Sequence, residues 1–227
     1  MEAIDIIVPA AGVGRRLGGG LPKQYLELGG GISVIELTLA TLLRVAGLNR
    51  IIVALRPGDA HFAALPVSRE PRVTTVAGGA ERADSVRAAL SAVTTRYVMV
   101  HDAARPFVSL EDIAELLQLR ERDEVGGILC SPVADTLKRG SDGLITGTVD
   151  RRRLYRAFTP QLFRTEILRE ALRLARERGA PVTDESSAVE LLRARPRLVP
   201  GRADNFKITT PEDLALARAL YRCREEP

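Results

Sequence analysis

The chain has no tryptophan, four tyrosines, five phenylalanines, two methionines and two cysteines among its 227 residues. So few aromatic rings argue against a base-stacking surface for nucleic acid. Cys130 and Cys223 form no CxxC or Cys/His spacing, which removes a zinc motif and leaves one buried thiol and one incidental one. No apolar run approaches the ~20 residues of a bilayer span. Met1-Glu2-Ala3-Ile4-Asp5 lacks the basic start, long apolar stretch and cleavage site of a signal peptide, so a cytoplasmic protein is expected. Lysine is also scarce: of 33 basic residues only Lys23, Lys138 and Lys207 are lysine. A chain that uses arginine for general positive charge retains lysine where a compact ammonium serves better than a planar fork.

What is present is ordinary globular material, 45% hydrophobic and 27% charged. A chain of this length buries roughly 70% of its unfolded surface and needs no disulfide or metal staple. The net charge of +4 is spread among 29 acidic residues and suits a small phosphorylated ligand better than nucleic acid or a membrane.

Apolar or alternating runs predict strands at residues 4–9, 50–55, 72–77, 97–100, 127–133, 158–163 and 197–199. Helical spacing predicts helices at 33–46, 83–93, 110–122, 165–178, 185–195 and 211–222, the last with Thr210 as N-cap and Pro211 at its first position. Alternation of the two predicts an α/β fold: a mostly parallel twisted sheet with helices on both faces, residues 1–227 forming one domain. Residues 134–156 read differently. Polar and β-branched residues around Gly140-Ser141-Asp142-Gly143 predict a protruding β-arm, 135–138 against 144–149, with too little core of its own and therefore a packing partner in a second subunit.

In such folds ligands sit beyond the carboxyl ends of the strands. After the first strand comes Pro9-Ala10-Ala11-Gly12-Val13-Gly14-Arg15-Arg16-Leu17 and, after three glycines, Leu21-Pro22-Lys23. Leu17 occupies the third glycine position of a dinucleotide fingerprint, and no Gly-Lys-Ser/Thr of a Walker A loop follows. Small residues at 10, 11, 12 and 14 let backbone amides approach a ligand, and Arg15, Arg16 and Lys23 add charge; together they make a triphosphate cradle. After the third strand, Gly78-Gly79-Ala80-Glu81-Arg82-Ala83-Asp84-Ser85 opens a helix with amides and a hydroxyl facing outward. After the fourth, His101-Asp102-Ala103-Ala104-Arg105-Pro106 puts a carboxylate at a strand tip, where it suits Mg²⁺ shared with substrate phosphates. His101 reads as structural. Thr183-Asp184 reads as a helix cap, while Asp204 and Lys207 precede the last helix and are candidates for the same cleft.

Gly-x-Gly-x-Arg followed by Pro-Lys resembles the signature of sugar-phosphate nucleotidyltransferases. Pro-Ala-Ala-Gly-x-Gly-Arg-Arg, Pro-Lys-Gln-Tyr, Gly-Gly-x-Glu-Arg-Ala-Asp-Ser-Val, Val-His-Asp-Ala-Ala-Arg-Pro, Thr-Asp-Glu-x-Ser-Ala and Arg-Ala-Asp-Asn-x-Lys-Ile-Thr occur in that order over nearly the whole chain. In this order they resemble the 2-C-methyl-D-erythritol 4-phosphate cytidylyltransferase family. The resemblance implies a Rossmann-like nucleotidyltransferase fold and a homodimer joined through the β-arm. It also implies the reaction of CTP with a polyol phosphate to give the cytidine diphosphate derivative and pyrophosphate, in non-mevalonate isoprenoid synthesis. The related ribitol-5-phosphate cytidylyltransferases carry Leu-Ala-Gly-Gly, His-Asp-Ala-Val-Arg-Pro and Ser-Asp-Ala at three of these places, so the motifs here favour the methylerythritol substrate. With the motifs spread over nearly all 227 residues, the cyclodiphosphate synthase domain fused to some members is not expected here. Many members carry an acidic residue where Ala80 stands.

Carried over residue by residue, the resemblance assigns Arg16, Lys23 and Lys207 to catalysis. Pro9, Ala10, Ala11, Gly12, Gly14, Arg15, Gly79, Arg82, Ser85 and Ala103 are assigned to CTP, and Asp102 and Asp204 to Mg²⁺ or another divalent cation. Arg105 and Thr183, with Thr136 and Arg151 of the partner subunit, are assigned to the polyol phosphate. Two other readings compete: a nucleotide-binding protein without catalysis, which has no need of two lysines and Asp102 together, and a nicotinamide oxidoreductase, disfavoured by Leu17.

Overall fold

The computed structural model describes residues 2–12 and 20–225. Its main sheet has seven strands: β1 (Ile4–Ala10), β4 (Leu48–Leu55), β5 (Val73–Ala77), β6 (Tyr97–Val100), β7 (Gly126–Pro132), β10 (Tyr155–Arg164) and β11 (Arg197–Pro200). Their order is β11-β7-β10-β6-β1-β4-β5. β1 lies parallel to both β4 and β6, and β10 alone runs antiparallel, to β6 on one side and β7 on the other. The chain builds outward from β1 to β4 and β5, then returns to place β6 on the other side of β1. The carboxyl ends of β1 and β6 therefore flank the crevice where the strand order reverses, the place α/β sheets use for ligands.

β1 is apolar except at Asp5 because it is covered on both faces. Ile4, Ile6 and Val8 face one cluster with Ile35, Leu39, Leu42, Ile113 and Leu116, drawn from α1 (Val34–Leu42) and α3 (Leu110–Leu117). Ile7 faces the other, with Val86, Leu90, Leu168, Leu172 and Val189, drawn from α2 (Arg82–Leu90), α5 (Thr165–Glu177) and α6 (Glu185–Glu190). Asp5 is fully buried in this strand and satisfied by Asn49 Nδ2, at 2.7 Å, and by the Thr94 amide, at 2.8 Å. The last helix, α7 (Pro211–Glu225), contributes to a smaller cluster around Leu28, Val34, Phe107 and Ile208. Among the described residues no helix is long and apolar enough to cross a membrane.

The structure departs from the sequence reading in places. Residues 110–122 form two helices, α3 and the short α4 (Leu119–Arg122), and the helix expected to reach 195 stops at Glu190, with Arg193 at φ 59° just beyond. A small hairpin of β2 (Glu27–Gly29) and β3 (Ile32–Ser33) precedes α1, which Ser33 and Glu36 cap reciprocally. In the arm, β8 (Leu137–Ser141) pairs with β9 (Leu144–Val149), so the first strand begins and ends later than expected. The reason is the turn: Asp142 and Gly143 both have positive φ, 52° and 80°, and form the two-residue loop that suits a right-twisted hairpin.

Candidate active site

The crevice between β1 and β6 is lined by Pro9, Ala10, Ala11 and Gly12 from the first strand's exit, and by Gly79, Arg82 and Ser85 from the start of α2. Asp102 and Ala103 close it beyond β6; Lys23 enters from a short 3-10 helix (Lys23–Tyr25) and Lys207 from the loop before α7. Gly79 cannot carry a side chain here: a Cβ would lie 2.2 Å from Asp84 Cβ. Its amide donates to Ser85 Oγ, at 3.1 Å, which fixes the approach of the loop to the helix. Gln24 Nε2 donates to the Ala10 carbonyl, at 2.8 Å, joining the segment that carries Lys23 to the end of β1. The Lys23 ammonium donates to the Ile208 carbonyl, at 3.0 Å.

Asp102 is the electrostatic centre. Arg82 Nε lies 2.8 Å from its Oδ1, while Lys207 Nζ at 2.8 Å and Arg105 Nε at 3.7 Å approach its Oδ2. Burial alone opposes a charge on Asp102; the pull of Arg82, Lys207 and Arg105 outweighs it and holds the carboxyl well below the usual carboxylate range. Arg82 turns its terminal nitrogens to Glu185, at 2.6 and 3.0 Å, a two-pronged pair with a fully buried carboxylate. Burial works against the Arg82 charge too, but Glu185 and Asp102 more than restore it. Burial lowers the Arg105 guanidinium, whose partners are Asp102 and, through its NH1, the Asn205 carbonyl at 2.7 Å.

Behind Asp102 runs a hydrogen-bond chain. The Asp102 amide donates to Thr159 Oγ1, at 3.0 Å, and Thr159 Oγ1 lies 3.2 Å from His101 Nδ1. His101 Nε2 lies 3.0 Å from the Arg105 carbonyl. These contacts assign the proton of a neutral imidazole to Nε2. Burial pushes the His101 pKa down to about 4, so the ring is neutral at physiological pH.

A second cavity adjoins the first, sharing Arg82, Asp102 and Lys207 and adding Arg105, Phe158, Thr159 and Thr183. The Arg105 guanidinium lies over the Phe158 ring, 5.1 Å from its centroid. One site therefore has two compartments with Asp102 and Lys207 at their junction.

Eleven of the residues singled out from sequence, Pro9, Ala10, Ala11, Gly12, Lys23, Gly79, Arg82, Ser85, Asp102, Ala103 and Lys207, line the first compartment. Ala80 lines it as well. Arg105 and Thr183 line the second. Gly14, Arg15 and Arg16 fall outside the described residues. Thr136 and Arg151 stand exposed on and beside the arm, away from both compartments of their own chain; Arg151 NH1 bonds the Ala134 carbonyl. Asp204 pairs with Arg202 at 3.0 Å and Arg224 at 2.8 Å and is not among the residues that line either compartment. Among the described residues no three His, Cys, Asp or Glu side chains cluster to hold a metal by themselves. The sequence reading missed Glu185, Thr159, Asn205 and Gln24. Gln24, Glu185 and Asn205 lie inside the quoted motifs, while Thr159 carries no signal of its own.

The family model for 2-C-methyl-D-erythritol 4-phosphate cytidylyltransferase, IspD, matches residues 4–223. The enzyme of that name from Klebsiella pneumoniae is 50% identical over 214 residues, covering 93% of this chain and 90% of its own. That from Cronobacter sakazakii is 49% identical over 224 residues, covering 97% and 94%. The crystal structure of the Thermus thermophilus enzyme is similar at TM-score 0.83 and 36% identity, covering 98% of this chain and 100% of its own. That of the Francisella tularensis enzyme is similar at TM-score 0.81 and 32% identity, covering 96% and 99%. Matched by the family model over nearly its whole length, and 50% identical to a member over 93% of it, the chain belongs to the 2-C-methyl-D-erythritol 4-phosphate cytidylyltransferase family.

Proposed function

We propose that the protein joins CTP to 2-C-methyl-D-erythritol 4-phosphate, releasing pyrophosphate and forming 4-diphosphocytidyl-2-C-methyl-D-erythritol for isoprenoid precursor synthesis in the cytoplasm. The observation that carries the reading is the placement of Lys207 and Asp102 at the junction of two compartments, with Arg82 and Arg105 on either side.

An oxygen of the polyol phosphate attacks the α-phosphorus of CTP. The new P–O bond forms as the bond to the bridging oxygen of pyrophosphate breaks. A phosphate monoester is ionised at neutral pH, so the attack needs no strong general base. Catalysis reduces to alignment and to neutralising charge on the crowded phosphorus. Lys23, Lys207 and Arg16 serve the α-phosphate oxygens. Pro9, Ala10, Ala11, Gly12, Gly14 and Arg15 cradle the triphosphate, while Gly79, Arg82, Ser85 and Ala103 hold nucleoside and phosphates. Arg105 and Thr183 hold the polyol phosphate. Asp102, kept ionised by its three cations, suits the one-carboxylate-plus-phosphates pattern of Mg²⁺. The ion would supply further charge neutralisation on the triphosphate.

The arm completes the reading. Leu144 and Ile145 near its turn are 72% and 70% exposed, and an isolated hairpin is marginally stable. Packed on a second copy, it is read as bringing Thr136 and Arg151 to the polyol-phosphate compartment of its neighbour. The test is pyrophosphate release with CTP and Mg²⁺, using methylerythritol phosphate or ribitol 5-phosphate as acceptor. Release with the first acceptor is expected. Release with ribitol 5-phosphate alone would keep the chemistry and overturn the substrate.

A further inference from the structure

Glu185 is fully buried and has no place in the reaction just described. Its carboxylate meets both terminal nitrogens of Arg82, at 2.6 and 3.0 Å. Its backbone is anchored on both sides. Its neighbours Asp184 and Ser186 are both tied to the buried Gln161 of β10: Gln161 Nε2 donates to Asp184 Oδ2, at 2.8 Å, and Gln161 Oε1 accepts from the Ser186 amide, at 2.9 Å. Arg82, by contrast, is a long side chain 26% exposed at the wall of both compartments.

An arginine fork prefers a carboxylate held by two parallel bonds. With Glu185 occupying that fork, Arg82 reaches Asp102 through Nε alone, at Oδ1, and Oδ2 stays with Lys207 at 2.8 Å. If the Glu185 charge is removed, Asp102 is the carboxylate left to the Arg82 fork, and a two-pronged pair there takes both oxygens. We propose that Glu185 is a positioning residue that keeps the Arg82 fork off Asp102, so that Asp102 Oδ2 and Lys207 remain placed for the reacting phosphates. It acts through Arg82 and touches no substrate. This inference rests on the cytidylyltransferase reading.

The test is a double-mutant cycle in kcat/KM, with kcat and KM for each substrate resolved and the folding of each variant checked by thermal melting. Glu185→Gln keeps the shape and one acceptor oxygen and removes the charge. It is expected to lower kcat at least tenfold, with a smaller change in either KM. Combined with Arg82→Met, which leaves no fork to orient, the same change is expected to cost less than threefold further. Glu185→Asp, which keeps the charge but withdraws it by one methylene, carries the same expectation and replaces Glu185→Gln if that variant melts below the assay temperature. Equal losses in both Arg82 backgrounds would make Glu185 merely structural and overturn the proposal, as would parental kcat in the single variant. A parent chain that releases no pyrophosphate would instead overturn the cytidylyltransferase reading.

Discussion

Replacing His101 by glutamine should flatten the acid limb of the stability curve. The imidazole is fully buried and held neutral between Thr159 and the Arg105 carbonyl. Its pKa falls from the ordinary 6.5 to about 4 in the folded chain, chiefly through burial. Above pH 6.5 the ring is neutral in both states and contributes no pH dependence. As the pH falls from 6.5 to 4, the unfolded chain takes up a proton that the folded chain refuses, so stability is lost through that window. At ~1.4 kcal/mol per pH unit the loss is about 3 kcal/mol by pH 4, a large part of the 5–15 kcal/mol typical of a folded domain. The assay is urea unfolding of parent and variant at intervals from pH 7 to pH 4. Paired carboxylates such as Asp102 also lose stabilisation in acid, but they do so in both proteins, so the difference between the curves isolates the histidine. His101→Gln should be the less stable at pH 7, and the gap should narrow by about 3 kcal/mol on reaching pH 4. Parallel curves would refute a buried neutral imidazole.

Other outcomes follow from the site. Lys23→Ala should lower kcat by about 10²–10³-fold with an unchanged melting temperature, read by pyrophosphate release and thermal melting. Gly79→Ala, whose added methyl would lie 2.2 Å from Asp84 Cβ, should displace the start of α2 and raise KM for CTP by about tenfold or more in steady-state assays. Arg151→Ala should raise KM for the polyol phosphate far more than KM for CTP; an unchanged polyol KM would remove the neighbouring arm from the site.

The central strands were legible because strands covered on both faces are almost wholly apolar, as residues 97–100 are and residues 4–9 are apart from Asp5. The antiparallel course of β10 was not, since apolar pattern records burial and not strand direction. The arm was legible in kind from its polarity and glycines, but its register waited on which residues take positive φ, Asp142 and Gly143. Asp102 and Lys207 stood out because one sits at a strand tip and the other is a rare lysine. Glu185 was hidden in what reads as an ordinary helix start, and its meaning comes from Arg82, 103 residues away. Asp204 of the loop before the last helix pairs with Arg224, 20 residues further on. Long-range pairing of this kind leaves no local pattern in a sequence.

The claim that the Asp102 cluster is the reaction centre is tested most directly by the turnover of Lys207→Ala with CTP, Mg²⁺ and methylerythritol phosphate. The account predicts a fall in kcat of about 10²-fold or more, with the melting temperature close to the parent's, because the ammonium 2.8 Å from Asp102 is needed for charge on the reacting phosphorus. Near-parental kcat in a folded variant would contradict it.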